Sequence, residues 1–292
     1  MHILKGYTKQ EISWMMYDWA NSAHSVIIVT LLPIFFDTVA GYTADSVSSM
    51  STWGYATSIA MLIVALAAPF LGVFGDIRGM RKKLFSFFML LGVAACAGMA
   101  FTPGMDFTSG PVAAGKVATL ILVLYIVSVI GFDASAIYYD AFLTDVTIED
   151  RMDKVSTMGY GLGYIGGSTI PLLIFLIMNL VGVPMLTCLA FVFGLTAVWW
   201  LAFSLPLLKN CEQTSGKPYE KGDVARSIKG VGTTIKEIIA NKPMLIYILS
   251  YFFYIDGVHT VISMATTYGT NLGQDSTGMM LDLLLVQILG LA

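Results

Sequence analysis

The sequence predicts an all-α membrane protein, on three observations. Its 292 residues are 57% hydrophobic and only 12% charged, against about 25% charged in a soluble domain. The apolar residues gather in seven runs long enough to cross a bilayer, with a shorter eighth behind them. The basic residues sit almost wholly in alternate connections between those runs. A water-soluble core cannot hide so much apolar surface, so lipid is expected to be the solvent.

The runs read as 15–36, 53–74, 84–101, 118–139, 159–180, 185–208 and 244–268. At about 1.5 Å per residue each can cross a hydrocarbon core of about 30 Å. A last run starts near Met279 and has 14 residues before Ala292, about 21 Å of helix, so the sequence is expected to stop inside its eighth helix. The first ten residues are short of apolar character and have no signal-peptide pattern, so the first run reads as a retained span. Cys96, Cys188 and Cys211 are far apart and suggest neither a disulfide framework nor a metal site.

Fifteen of the sixteen Lys and Arg residues fall on one side. Lys5 and Lys9 lie at the N-terminus. Arg78, Arg81, Lys82 and Lys83 lie between the second and third runs, and Arg151 and Lys154 between the fourth and fifth. The remaining seven, from Lys209 to Lys242, lie in the connection after the sixth. Only Lys116 is opposite. The positive-inside rule therefore makes the N-terminus cytoplasmic, and a multi-pass protein of a bacterial plasma membrane is the expectation.

Residues 209–243 separate two groups of spans. The expected organisation is a six-helix bundle over 1–208, a cytoplasmic linker over 209–243 and the start of a second bundle over 244–292. Within the linker Val224, Ile228, Val231, Ile235 and Ile238 step by four and three, with Arg226, Lys229 and Lys236 off that stripe. That is the pattern of a helix lying on a membrane surface. The first and seventh runs share a short motif, His24-Ser25-Val26-Ile27 and His259-Thr260-Val261-Ile262, at positions that would correspond in a duplicated unit.

Ionisable groups in a bilayer centre cost roughly 2.5–3.5 kcal/mol each on insertion scales, so each needs a reason. In the first run Asp18, Asn21 and Ser25 share a face and His24 flanks it. The fourth run has Asp133, and Asp140 at its inner end, where a structural role is expected. The seventh has Asp256 with His259 one turn on. A midplane carboxylate beside a histidine can take and release protons near neutral pH. The other reading is that these groups only hold helices together. In the fifth run Gly159, Gly163 and Gly167 recur every four residues, a seam that lets two backbones approach in lipid. Tyr160 and Tyr164 follow the same spacing and are candidates for a cavity edge. Pro33, Pro69 and Pro171 are candidate kinks.

Between the second and third runs lies Gly72-Val73-Phe74-Gly75-Asp76-Ile77-Arg78-Gly79-Met80-Arg81-Lys82-Lys83. Gly72 and Gly75 would permit close packing, Asp76 would accept from helix amides or pair with a base, and Arg81, Lys82 and Lys83 would anchor to anionic headgroups. Metal-ligand His pairs, Cys-x-x-Cys, phosphate-binding glycine loops and nucleophile elbows are all missing from the sequence. An enzyme is not expected, nor a cofactor, a metal or a nucleic-acid partner.

Four segments carry a family resemblance. They are 14–23 around Asp18, the 72–83 loop, 138–167 with Tyr138-Tyr139-Asp140 and the glycine seam, and 254–260 around Asp256, with Gln287 beyond. The chain resembles the vacuole-effluxer-like branch of the major facilitator superfamily, whose fungal members export amino acids from the vacuole. The resemblance implies a major facilitator fold of twelve helices around a central cavity. It also implies a conformational-switch loop carried by Gly72, Asp76, Gly79 and Arg81. Asp140 departs from the pattern, standing where an asparagine is expected. Helices 9 to 12 and most of helix 8 are not in the sequence. The expected function is secondary transport of small polar solutes, amino acids among them, moved outward and coupled to protons or another ion. Two alternatives stay open: an inactive fragment of such a transporter, and a membrane scaffold or interaction protein.

Overall fold

A computed structural model describes residues 4–43, 46–218 and 223–274, with 278–279, 281–282 and 285–286. Lys221, Gln287 and most of the expected eighth helix lie outside the described residues, as do the side chains of Val224, Arg226 and Ile228. Seven helices among the described residues are long and apolar enough to cross a membrane. Four spans are single helices in succession: α1 (Lys9–Ala40), α2 (Ser46–Gly75), α3 (Arg81–Met99) and α4 (Pro111–Val146). The fifth span is α5 (Met152–Leu162), a π-helical turn at Gly163–Ser168, and α6 (Thr169–Leu180). Then come α7 (Met185–Asn210), α8 (Asp223–Ala240) and α9 (Lys242–Asn271).

Most helices outrun their apolar stretches, because apolar runs mark only the lipid-crossing part while capping residues set the ends. α1 starts at Lys9 because Thr8 and Glu11 form a capping box: the Glu11 N–H donates to Thr8 Oγ1 (3.1 Å) and the Thr8 N–H to Glu11 Oε2 (2.7 Å). Glu11 also accepts from Arg151 Nε and Nη2, both at 2.9 Å, and from Thr147 Oγ1 at 2.7 Å. One buried carboxylate thus starts α1 and fastens it to the turn between α4 and α5. α4 starts at Pro111, a residue suited to a first helical position, after Gly110 at φ 147°.

α1 is the hub. Its most apolar stretch is 78% buried, against 11% for α2 and 0% for α9. It packs against α7, α4, α5 and the π-helical turn. Two clusters of side chains fill the space around it. One, at the end carrying the basic residues, contains Trp14, Tyr17, Phe85, Tyr139, Phe142 and Trp200. The other, toward the opposite end, contains Leu31, Phe35, Trp53, Tyr125 and Phe193. α3 and α4 cross at Gly92 and Gly131, where a Cβ on Gly131 would stand 2.5 Å from the Gly92 nitrogen and 2.8 Å from the Phe88 carbonyl. α9 lies against α1, α2 and α8 and exposes much of its length, Tyr247, Phe253, Tyr254 and Val261 included. The Thr266 hydroxyl ties it to the Val29 carbonyl at 3.1 Å.

Candidate functional site

The sequence seam of Gly159, Gly163 and Gly167 lies against α1. A Cβ on Gly159 would meet Asp18 Oδ2 at 2.6 Å, one on Gly163 would meet Ser22 Oγ at 2.5 Å, and one on Gly167 would meet the Trp19 carbonyl at 2.5 Å. The tightest position is Gly166, where a Cβ would run into the Trp19 ring, whereas Gly161 faces open space. The sequence spacing alone does not put Gly166 on the seam. The π-helical turn does, because its wider i→i+5 pitch rotates the chain and brings Gly166 and Gly167 to the same helix. The freed carbonyls are used: Thr169 Oγ1 donates to the Tyr164 carbonyl at 2.7 Å and Ser168 Oγ to that of Gly163 at 3.4 Å.

This close approach sets the Asp18 carboxylate against the start of the Tyr160–Tyr164 pair. Tyr139 of α4 donates its hydroxyl to Asp18 Oδ2 at 2.8 Å. Tyr139 is itself locked: its ring stacks on Trp14 at 4.3 Å, and Trp14 Nε1 donates to its carbonyl at 2.9 Å. Tyr17 packs on the same ring and shares a hydrogen bond with Ser135 at 2.7 Å. Asp18 is half-buried. Asp140 is exposed, and it and Tyr160 are within electrostatic reach of Asp18. Tyr160 is 64% exposed, with its hydroxyl 3.3 Å from that of Tyr164 and the rings edge to face at 5.1 Å. A carboxylate accepts only, so this constellation suits a proton, a hydroxyl or an ammonium group.

The remaining candidates lie elsewhere. His24 is 2% exposed, between Phe132 (stacked, 4.9 Å) and Trp200 (4.9 Å), and neither ring nitrogen has a partner among the described residues. Asn21 is buried, and Asp133 is half-buried with Oδ2 unpartnered among the described residues. Asp256 and His259 are exposed on α9, and neither side chain forms a hydrogen bond or ion pair among the described residues. In the sequence Trp14 and Tyr17 are marked only as part of the 14–23 segment and Ser135 not at all; their contacts arise from partners more than a hundred residues away.

The loop after α2 corrects two expectations. Arg81 is not a headgroup anchor: its side chain is 5% exposed and paired with Asp145 of α4, and Nη1 also donates to the Ala141 carbonyl at 2.9 Å. Gly72 faces open space, so Gly75 alone packs closely, against the Tyr138 ring. Gly79 sits at φ 80°, a left-handed conformation that favours glycine. Asp76 is 82% exposed and 3.9 Å from Arg81 Nη2.

Comparison with known proteins settles the family. A family model described as "Vacuole effluxer Atg22 like" matches residues 7–151 and 144–292. The chain belongs to the Atg22-like family. An uncharacterized MFS-type transporter of Bacillus subtilis (strain 168) is 39% identical over 98% of this chain. The Atg22-like chain spans 66% of that relative's length. Autophagy-related protein 22-1 of Penicillium rubens is 26% identical over 43% of this chain and 23% of its own. In three dimensions the Atg22-like chain resembles a D-xylose-proton symporter, with a TM-score of 0.54 over 97% of this chain and 65% of that one, at 15% identity. The likeness shows a shared fold, the major facilitator fold.

Proposed function

We propose that this chain is the substrate-handling first part of a secondary transporter for small polar solutes, amino acids among them, driven by a proton or other ion gradient. The observation that carries this reading is the Asp18 carboxylate within the first span, positioned by Tyr139 and within electrostatic reach of Asp140 and Tyr160. An ionisable side chain within a span is kept where it lines a path or meets a ligand. Asp256 and His259 would face the same path from the second group of spans. The sequence has no nucleotide-binding loop, which is consistent with a gradient as the energy source. The family's description as effluxers favours outward movement, with the basic end of the bundle in the cytoplasm. The test is counterflow of labelled amino acids in proteoliposomes holding the full-length protein. Asp18→Asn is expected to lose at least about 90% of the initial rate, a loss of more than about 1.4 kcal/mol in transition-state terms, with the protein still inserted. Wild-type counterflow together with wild-type proton-driven uptake in that variant would remove Asp18 from the mechanism.

A further inference from the structure

The fifth span turns its glycine seam to α1, and its other side carries a groove. Lys154, Met158, Gly161 and Ile165 step along that side by four, three and four residues and line a groove of about 520 Å³. Gly161 opens it at mid-length, since nothing lies within 4 Å of where its Cβ would stand. Ile165 is 48% exposed at its far end. Lys154 and Ile165 are about 16 Å apart along the helix, close to the roughly 15 Å of half a hydrocarbon core. The groove therefore runs from the basic end of the bundle along one leaflet toward the bilayer middle.

The mouth of the groove is charged. The chain before α1 brings Tyr7 to it, with the Arg151 guanidinium 5.7 Å and Lys154 Nζ 5.4 Å from the ring centroid. The Tyr7 hydroxyl has no partner among the described residues, so the ring's faces hold it here. Arg151 Nη2 donates to the Gly6 carbonyl at 3.0 Å and fixes the approach of this segment. The two cations differ in what else they hold. Arg151 is committed to Glu11, whereas Lys154 is exposed and its ammonium has no hydrogen bond or ion pair among the described residues. Asp153, beside it on the rim, is exposed and equally unpaired among them. The Thr157 side chain, also on the groove and one turn deeper, is exposed and has no partner there either.

A soluble anion would use the cation and leave the apolar groove empty. A hydrocarbon alone would need no charged rim. We propose that the groove between Tyr7 and the fifth span binds a phospholipid whose headgroup carries a primary ammonium beside its phosphate. Lys154 donates to the phosphate, Asp153 accepts from the ammonium, and Thr157 donates to an ester carbonyl. An acyl chain lies along Met158, Gly161 and Ile165. Asp153 sets the choice among lipids. A purely anionic headgroup would be repelled by its carboxylate, and a quaternary ammonium has no N–H to give it. The site is independent of what the bundle moves.

The 292-residue chain in detergent is titrated with dioleoyl phosphatidylethanolamine, phosphatidylcholine or phosphatidylglycerol, and bound lipid is measured by native mass spectrometry. Phosphatidylethanolamine is expected to bind about ten-fold more tightly than either of the others, the worth of one charge-assisted hydrogen bond. Asp153→Asn should bring it level with phosphatidylcholine. Lys154→Gln should weaken it by a similar factor. Gly161→Leu, which fills the groove, should abolish the tight site for all three lipids. Lys83→Gln, at an exposed base elsewhere on the same end, should change nothing. Equal binding of the three lipids, a preference for phosphatidylglycerol, or an equal loss in Lys83→Gln would overturn the proposal in favour of general attraction to the basic end. Lys154 and Asp153 are exposed, so their variants keep the fold. Unchanged lipid binding in both would overturn the site even if Gly161→Leu failed to fold.

Discussion

Glu11 joins a helix start, a neighbouring turn and a cation in one carboxylate, so its loss should be felt in all three. Glu11→Ala removes the capping box and leaves Arg151, a third exposed, without its partner, so the start of α1 and the turn between α4 and α5 both loosen. We expect a clearly lowered thermal midpoint in detergent, followed by tryptophan fluorescence, and a midpoint within error of wild type would show that water replaces the carboxylate at no cost. The spacing of Thr8 and Glu11 is that of a capping box, a signal passed over when the first run is started at residue 15, and Arg151, 140 residues away, carries no local signal at all. The same holds at the candidate site. Asp18 stands out because a charge in an apolar run needs a reason. Tyr139 does not, because tyrosines are common in spans and only the packing of α1 on α4 aims its hydroxyl. Nothing in the sequence singles out Asp145; only the fold brings Arg81 and the linker to it.

At the scale of elements the glycines separate into those that are crowded and those that are not. Gly131→Ala would press a methyl group on the Gly92 and Phe88 backbones, which cannot rotate away, so overpacking of about 1–3 kcal/mol is expected. Gly163→Leu should do more, by forcing α1 away from the fifth span. Gly161→Ala, facing open space, should be silent. Thermal midpoints of the three variants check this order, and a destabilised Gly161→Ala would place the fifth span in contact with something on its open side. The spans themselves were legible because each is a long apolar run. The π-helical turn was not, since nothing in GYIGGS distinguishes a widened turn from an ordinary one until Trp19 is seen to need the room. The α3–α4 crossing was missed for a related reason: Gly92 and Gly131 are single glycines in different runs, and neither forms a periodic pattern.

For the whole molecule the basic residues make a directional prediction. Lys83→Cys at the exposed basic end should react with a membrane-impermeant maleimide only after cells are permeabilised. Reaction in intact cells would invert the assigned orientation. The arrangement around α1 bears on how such a molecule is made. Chains are built from the N-terminus, so α1 enters the bilayer before any helix that will bury it exists. Its largest partner, α7, is made about 150 residues later, at least several seconds at ordinary synthesis rates. Asp18 waits 121 residues for Tyr139, and His24 waits for Phe132 of α4 and then longer for Trp200 of α7. A hub assembled first and enclosed last must be sheltered by the insertion machinery or tolerated as a poorly lipid-soluble segment. Mutations in α4 and α7 that weaken their hold on α1 should therefore lower the yield of inserted protein more than its stability once assembled.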